Sequence, residues 1–134
     1  MSAILRWLAA VAAGAAVFEG LDGLAARGPA MAWLALVSPF IAGAIAAGAA
    51  GGGRVGPLLA SAAVAWARIG ADLAVGFLHG VRHPLGVNAA VAVVFGLPWM
   101  GMALGGGAIQ VLARQRPPAG RNPRPSSHPP HSGG

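Results

Sequence analysis

The sequence predicts an all-α integral membrane protein, with a compact bundle of four transmembrane helices (residues 1–113) followed by a disordered tail (residues 114–134). Three observations lead to this prediction. Hydrophobic residues make up 56% of the chain and charged residues only 9%, whereas a soluble domain carries about 25% charged residues. The apolar residues fall into four long stretches, and the composition changes abruptly after the fourth stretch. This composition therefore argues against a water-soluble globular protein.

The four apolar stretches cover residues 4–25, 29–50, 57–78 and 88–111. Each is close to the ~20 residues that a helix needs to cross ~30 Å of hydrocarbon. Backbone polar groups in lipid must be satisfied within their own segment, so we expect each stretch to be a helix. Pro29 and Pro57 each follow a glycine. They are expected in the first turn of a helix. Backbone N–H groups there have no partner within the helix, so the absence of this group in proline costs no hydrogen bond.

Prolines and glycines inside the stretches predict local features of the helices. Pro39 lies in mid-span and is expected to kink its helix and to free the carbonyl of Ala35, and Pro98 is expected to act in the same way in the last span. Gly101 and Gly105 form a pair of small residues four apart. Such pairs permit tight helix crossings, although they also arise by chance in a chain rich in alanine and glycine.

The tail differs from the rest of the chain in its composition. Residues 114–134 are dominated by proline, arginine, serine and glycine, and Ala119 is their only aliphatic residue. Such a segment cannot bury enough apolar surface to offset its chain entropy, so we expect disorder. Four arginines follow the last span directly and are expected to contact the lipid surface: Arg114, Arg116, Arg121 and Arg124. The tail has no aromatic residue to stack on bases, so binding of nucleic acid is not expected.

The placement of arginines predicts the orientation. With four spans, both termini and the middle loop share one side, which carries Arg6, Arg54 and the four tail arginines, while the other side carries Arg27 and Arg82. The positive-inside rule then places both termini in the cytoplasm and the protein in the cell (inner) membrane. The first span has an alternative interpretation as a cleaved signal peptide, because small residues at positions 13–16 resemble a cleavage site. Apolar character resumes after these residues and favours an uncleaved helix.

Polar residues in the third span lie along one line of the predicted helix. At 100° per residue, Ser61, Arg68, Asp72 and His79 fall within roughly 20° of one line along the helix. Bulky apolar residues occupy the opposite side, so the polar stripe is expected to face protein and the apolar side to face lipid. Counting ~1.5 Å per residue from the cytoplasmic end, Glu19 of the first span and Asp72 both lie ~22 Å deep. These five residues form a hypothetical intramembrane polar site.

Two functions fit this polar site. The first is a structural, accessory or assembly component that packs against itself or a larger membrane complex. In that case Arg68 and Asp72, at i and i+4, neutralise each other, and replacing both by leucine is expected to preserve folding. The alternative is an oligomeric small transporter or ion-channel subunit, since Glu19 would bring the site to a net charge near −1 and favour a proton or a bound cation. An inward shift of the first span would instead make Glu19 and Asp22 interfacial acids.

Enzymatic chemistry is not expected. The chain has no cysteine, which excludes disulfides, thiolate metal sites and cysteine nucleophiles. No set of catalytic residues, no phosphate-binding loop and no cofactor site can be assembled from the remaining residues. His79 and His83 are four apart, a spacing that can hold a metal, but Pro84 ends the helix there and interfacial residues are the favoured interpretation. The expected partners are the lipid bilayer and either a second copy or a larger membrane complex.

Overall fold

A computed structural model of the chain describes residues 2–81 and 84–116. Four long α-helices dominate this part of the chain: α1 (Ala3–Ala25), α2 (Trp33–Ala50), α3 (Val55–Leu78) and α4 (Leu85–Gln115), with a short 3₁₀ helix at Pro29–Met31. The predicted all-helical fold with four apolar helices is confirmed, and no strand occurs among the described residues. The predicted tail from residue 117 onward, including Arg121 and Arg124, lies outside the described residues.

The middle of the bundle is formed by α2 and α3, with α1 and α4 on opposite sides. The indole N–H of Trp7 donates to the carbonyl of Gly56 at 3.2 Å, which places the start of α1 beside the start of α3. Arg54, just before α3, donates to the Gln115 side chain at the end of α4 at 3.2 Å. Successive helices therefore alternate in direction, with the starts of α1 and α3 and the ends of α2 and α4 at one end.

The core is built from small side chains. Among the described residues, eight of the fourteen buried apolar residues are alanine, and Phe18 is the largest fully buried side chain. Two glycines bring the backbones of α2 and α4 into contact. A Cβ added to Gly43 would lie 2.1 Å from the carbonyl oxygen of Ala103, and one added to Gly106 would lie 2.0 Å from that of Phe40. The helices pack closely because these positions carry no side chain.

The outer surface carries the large apolar side chains. Leu36 is 70% exposed, Phe77 63% and Leu85 88%. Helices of soluble bundles show the reverse arrangement, with an apolar stripe inside and polar residues outside. By length and composition, α1, α3, α4 and the segment from Pro29 to Ala50 are each able to cross a membrane. The interior of the bundle is therefore packed with small side chains, and its outer surface carries large apolar side chains.

Pro39 lies inside α2 and frees the carbonyl of Ala35, as its position in the sequence predicts. The hydroxyl of the preceding residue, Ser38, lies 3.2 Å from this carbonyl oxygen and 2.9 Å from Oδ1 of Asp22, so its one proton is shared between two acceptors. Ser38 is fully buried. A polar side chain next to the proline thus satisfies a backbone group that the proline leaves without its usual partner.

The first turns of α2, α3 and α4 differ from the predicted spans. The residues after Pro29 wind as a 3₁₀ turn, so the α-helical part of this segment begins at Trp33. Helix α3 begins two residues before Pro57, which is still within its first turn. Helix α4 begins at Leu85 because Pro84 caps it, and the Pro84 carbonyl accepts the N–H groups of the third and fourth residues of the helix.

Helix α4 also extends beyond residue 111, the predicted end of the last span. Arg114 and Gln115, which the sequence assigned to the tail, are helical. The guanidinium of Arg114 donates to the carbonyl of Gly51 at 2.8 Å and to the carbonyl of Gly48. These carbonyls belong to the C-terminal end of α2. Cations stabilise such an end, because the last carbonyls of a helix have no partner within it. This contact with α2 holds the last turn of α4.

Candidate functional site

Every acidic residue of the chain contacts the same arginine. The three acids are Glu19, Asp22 and Asp72. The Nε of Arg68 lies 2.7 Å from Oε2 of Glu19, its Nη2 lies 3.9 Å from Oδ2 of Asp22, and its Nη1 pairs with Oδ1 of Asp72. We call these four residues, together with Ser38, the Arg68 cluster.

Helix periodicity explains how the acids reach one point. Glu19 and Asp22 are three apart on α1 and therefore share a face, and Arg68 and Asp72 are four apart on α3 and share another. Helices α1 and α3 pack against each other, so these two faces meet. Ser38 adds α2, because its Oγ lies 2.9 Å from Oδ1 of Asp22. The Arg68 cluster therefore connects three of the four helices.

The arginine is buried and two of its carboxylate partners are not. The side chain of Arg68 is 12% exposed and that of Asp22 25%, whereas those of Glu19 and Asp72 are 64% and 56% exposed. The guanidinium also lies over the ring of Phe18, with 5.9 Å from Cζ to the ring centroid, a favourable cation–π arrangement. The positive charge is thus inside the bundle and the two exposed negative charges are at its surface.

The charges of the Arg68 cluster do not balance. Three ionised carboxylates and one guanidinium leave a net charge of −2, one unit more negative than the sequence predicted from Glu19, Arg68 and Asp72. The described residues contain no group of three histidine or acidic side chains arranged to hold a metal ion. The excess of carboxylates makes the cluster suited to a cationic group that approaches Glu19 or Asp72 from outside.

A shallow hollow between α1 and α3 gives access to these carboxylates. It has a volume of about 340 Å³ and is lined by Glu19 and Asp72 together with small side chains that include Ala15, Ala16 and Ala71. We call this region the α1–α3 surface. Small side chains allow another helix to approach closely, so the carboxylates are accessible to groups on a neighbouring molecule.

Ser61 and His79 lie outside the Arg68 cluster. Ser61 is fully buried and donates to the carbonyl of Gly43 at 2.8 Å, and Gly107 of α4 packs directly against its hydroxyl. His79 is exposed at the end of α3, with Nδ1 2.8 Å from the carbonyl oxygen of Val75. The predicted stripe is therefore divided into three parts. Ser61 makes a packing contact, Arg68 and Asp72 belong to the charged cluster, and His79 lies at the end of a helix.

Two members of the cluster, Asp22 and Ser38, are absent from the predicted site. Asp22 follows Glu19 by three residues on α1, so whether it joins the site depends on how far α1 is rotated towards α3. The spacing of three between the two acids was the available signal. Ser38 is the only hydroxyl residue of α2, and its position next to Pro39 was the signal there.

The opposite end of the bundle carries only positive charges among the described residues. Arg6, Arg54 and Arg114 meet around the end of α2, and a Cβ added to Gly51 would lie 3.0 Å from Cζ of Arg6. We call this region the arginine end. Arg116 follows as the exposed residue that caps α4. All acids of the chain lie in the Arg68 cluster, so the arginine end carries none, whereas Arg68 and Arg27 lie towards the other end of the bundle.

Comparison with known proteins places no constraint on this site. The chain matches no protein family, no curated protein and no solved structure. Function is therefore argued from the Arg68 cluster and from the surfaces next to it.

Proposed function

We propose that the chain is a multi-pass protein of the cell inner membrane, with four spanning helices and both termini in the cytoplasm. The outward-facing large apolar side chains and the length of the four apolar segments support insertion. The arginine end supports the orientation, because basic residues accumulate on the cytoplasmic side of membrane proteins. Release of the protein from vesicles by alkaline carbonate would contradict insertion.

Within the membrane, the proposed role is that of a non-enzymatic accessory or assembly component that docks through the α1–α3 surface. One observation supports this role above all others: Glu19 and Asp72 place half-exposed carboxylates on the outside of apolar helices. A charged group facing lipid costs at least ~2.5–3.5 kcal/mol. Covering this surface with protein removes the contact with lipid, and the small residues Ala15, Ala16 and Ala71 permit a close approach.

Site-directed cross-linking tests this role directly. The chain has no native cysteine, so an Ala71→Cys variant carries a single attachment point for a photoactivatable maleimide on the α1–α3 surface. Val94→Cys, at a residue of α4 that is 63% exposed, is the matched control on the other side of the bundle. In native membranes, the Ala71→Cys variant is expected to give a discrete cross-linked product that the Val94→Cys variant does not give.

Mass spectrometry of the product then distinguishes a second copy of the chain from a different membrane protein. Either result supports an assembly role. Equal, diffuse labelling of lipid by both variants would contradict it, because the α1–α3 surface would then face the bilayer.

The net charge of the Arg68 cluster favours a second candidate function, a small transporter or channel subunit that carries protons or cations. Small side chains close the centre of the described bundle, so a pathway would have to form between copies in an oligomer. Reconstituted vesicles with an internal pH indicator are expected to show flux that Asp72→Asn abolishes. Flux that is unchanged in this variant would exclude Asp72 from the pathway.

A further inference from the structure

Helices α3 and α4 leave a groove between them that is lined by Asp72 and by no residue of α1. Its wider part has a volume of about 640 Å³ and its narrower continuation about 170 Å³, and Asp72, Leu73 and Val91 line both. We call the two parts together the α3–α4 groove. Its volume lies within the range of about 300–1,000 Å³ that is typical of small-molecule sites.

The lining of the α3–α4 groove is apolar and aromatic with two polar residues. Phe95 and Trp99 line the narrow part, with their ring centroids 5.8 Å apart. Asp72 and Asn88 are the polar residues of the wider part, where the other lining residues are aliphatic or aromatic apart from one glycine. A ligand that fits this lining has an apolar body and a group that a carboxylate attracts.

Asp72 is able to serve such a ligand because Arg68 has other partners. Glu19 and Asp22, both on α1, pair with the guanidinium, and neither of them lines the groove. A shift of Asp72 towards the groove therefore leaves the buried arginine paired with two carboxylates. The excess negative charge of the Arg68 cluster makes Asp72 the carboxylate that a cation in the groove would neutralise.

We propose that the α3–α4 groove binds a hydrophobic cation, an ammonium or phosphonium ion with apolar substituents. Asp72 supplies the counter-charge, and the rings of Phe95 and Trp99 supply apolar contact and attract positive charge through their faces. Anions of the same shape are rejected by the carboxylate. The inference rests on the proposed membrane insertion. It shares Asp72 with the α1–α3 surface of the assembly role, but it needs no partner protein on that surface.

The test uses the purified full-length chain in detergent and tetraphenylphosphonium as the probe. Equilibrium dialysis is expected to show saturable binding of one cation per chain, accompanied by a change in tryptophan fluorescence because Trp99 lines the groove. Tetraphenylborate has nearly the same shape and the opposite charge, and in a separate dialysis it is not expected to bind saturably. Asp72→Asn is expected to weaken binding at least about tenfold, as expected for loss of a desolvated charge partner.

Two further variants separate the groove from the charge of the cluster. Val91→Trp fills the groove and leaves every charge in place, so it is expected to abolish saturable binding while helicity and elution volume remain those of the parent chain. Glu19→Gln removes the same charge as Asp72→Asn from the α1 side, and only a smaller loss is expected. Non-saturable uptake by the parent chain, full binding by Val91→Trp, or equal losses in the two charge variants would each overturn the proposal.

These results are distinguishable from failure of the assembly role. Cross-linking from Ala71 reports on the opposite side of α3 and does not involve the groove. A chain that cross-links to a partner but does not bind the phosphonium ion would retain its proposed function and lose only this inference.

Discussion

Replacement of Gly106 by alanine is expected to destabilise the crossing between α2 and α4. The added Cβ would lie 2.0 Å from the carbonyl oxygen of Phe40 and 3.1 Å from the backbone nitrogen of Ala44. Ordinary van der Waals contact begins at 3.4 Å, so the helices must separate locally by about 1.4 Å, the difference between the first distance and this limit. Both obstacles are backbone atoms, and no change of rotamer relieves the overlap. Overpacking of this kind costs about 1–3 kcal/mol.

Gly101→Ala is the matched control in the same helix, because a Cβ at this position meets no atom within 4 Å. Both variants gain the helix propensity of alanine, up to about 1 kcal/mol, so the difference between them isolates the clash. Far-ultraviolet circular dichroism during titration of mixed micelles with dodecyl sulfate measures the free energy of unfolding. Gly106→Ala is expected to be about 1–3 kcal/mol less stable than Gly101→Ala. Equal stabilities would refute the inferred backbone contact.

Four further substitutions are checked by unfolding in the same micelles. Arg68→Leu is expected to cost about 3–5 kcal/mol because it leaves three carboxylates without their cation. Asp72→Leu is expected to cost clearly less, and restoration of the Arg68→Leu variant by adding Asp72→Leu would contradict the three-carboxylate arrangement. Ser38→Ala removes the hydroxyl that serves a carboxylate and a freed carbonyl, and a loss of about 1–3 kcal/mol is expected; an unchanged midpoint would argue against both contacts. Phe18→Ala empties a fully buried site and is expected to cost about 3–5 kcal/mol, and a loss near zero would show that the site is not packed as described.

The positions of the helices follow from the sequence because long apolar stretches and prolines are local signals. The ends follow less well, since they depend on contacts between helices. The last turn of α4 is held by the hydrogen bonds of Arg114 to Gly48 and Gly51 of α2. No local pattern indicates that these residues meet, so the arginine was assigned to the tail.

The glycines show the same limit. Gly101 and Gly105 have the spacing of a packing pair, but a Cβ at Gly101 meets no neighbouring atom and one at Gly105 meets only the Phe40 ring at ordinary distance. The close contacts lie at other glycines, with backbone at Gly43 and Gly106 and with the Ser61 hydroxyl at Gly107. In a chain with 22 glycines, spacing alone does not select those that face another helix, because that depends on the rotation of each helix.

The candidate site could be predicted in part. The spacing of Arg68 and Asp72 and the depth of Glu19 indicate which groups are able to meet. The net charge of the site could not be predicted from the sequence, because Asp22 joins it only when α1 is rotated so that Asp22 faces α3. This changes the expected result of the double leucine variant at positions 68 and 72. Folding would no longer be preserved without penalty, since both acids of α1 would lose their cation.

The alanine-rich core has a consequence for experiments that map this protein by mutation. A systematic survey with alanine reports on fewer than half of the buried apolar positions of the described residues. Eight of these fourteen positions already carry alanine, so truncation has nothing to remove there. Replacement of buried alanines by larger residues is the more informative change, because an added methyl or isopropyl group in the core forces neighbouring helices apart. A survey that introduces valine or leucine would map the interior of this bundle, and positions tolerant of both would mark its outer face.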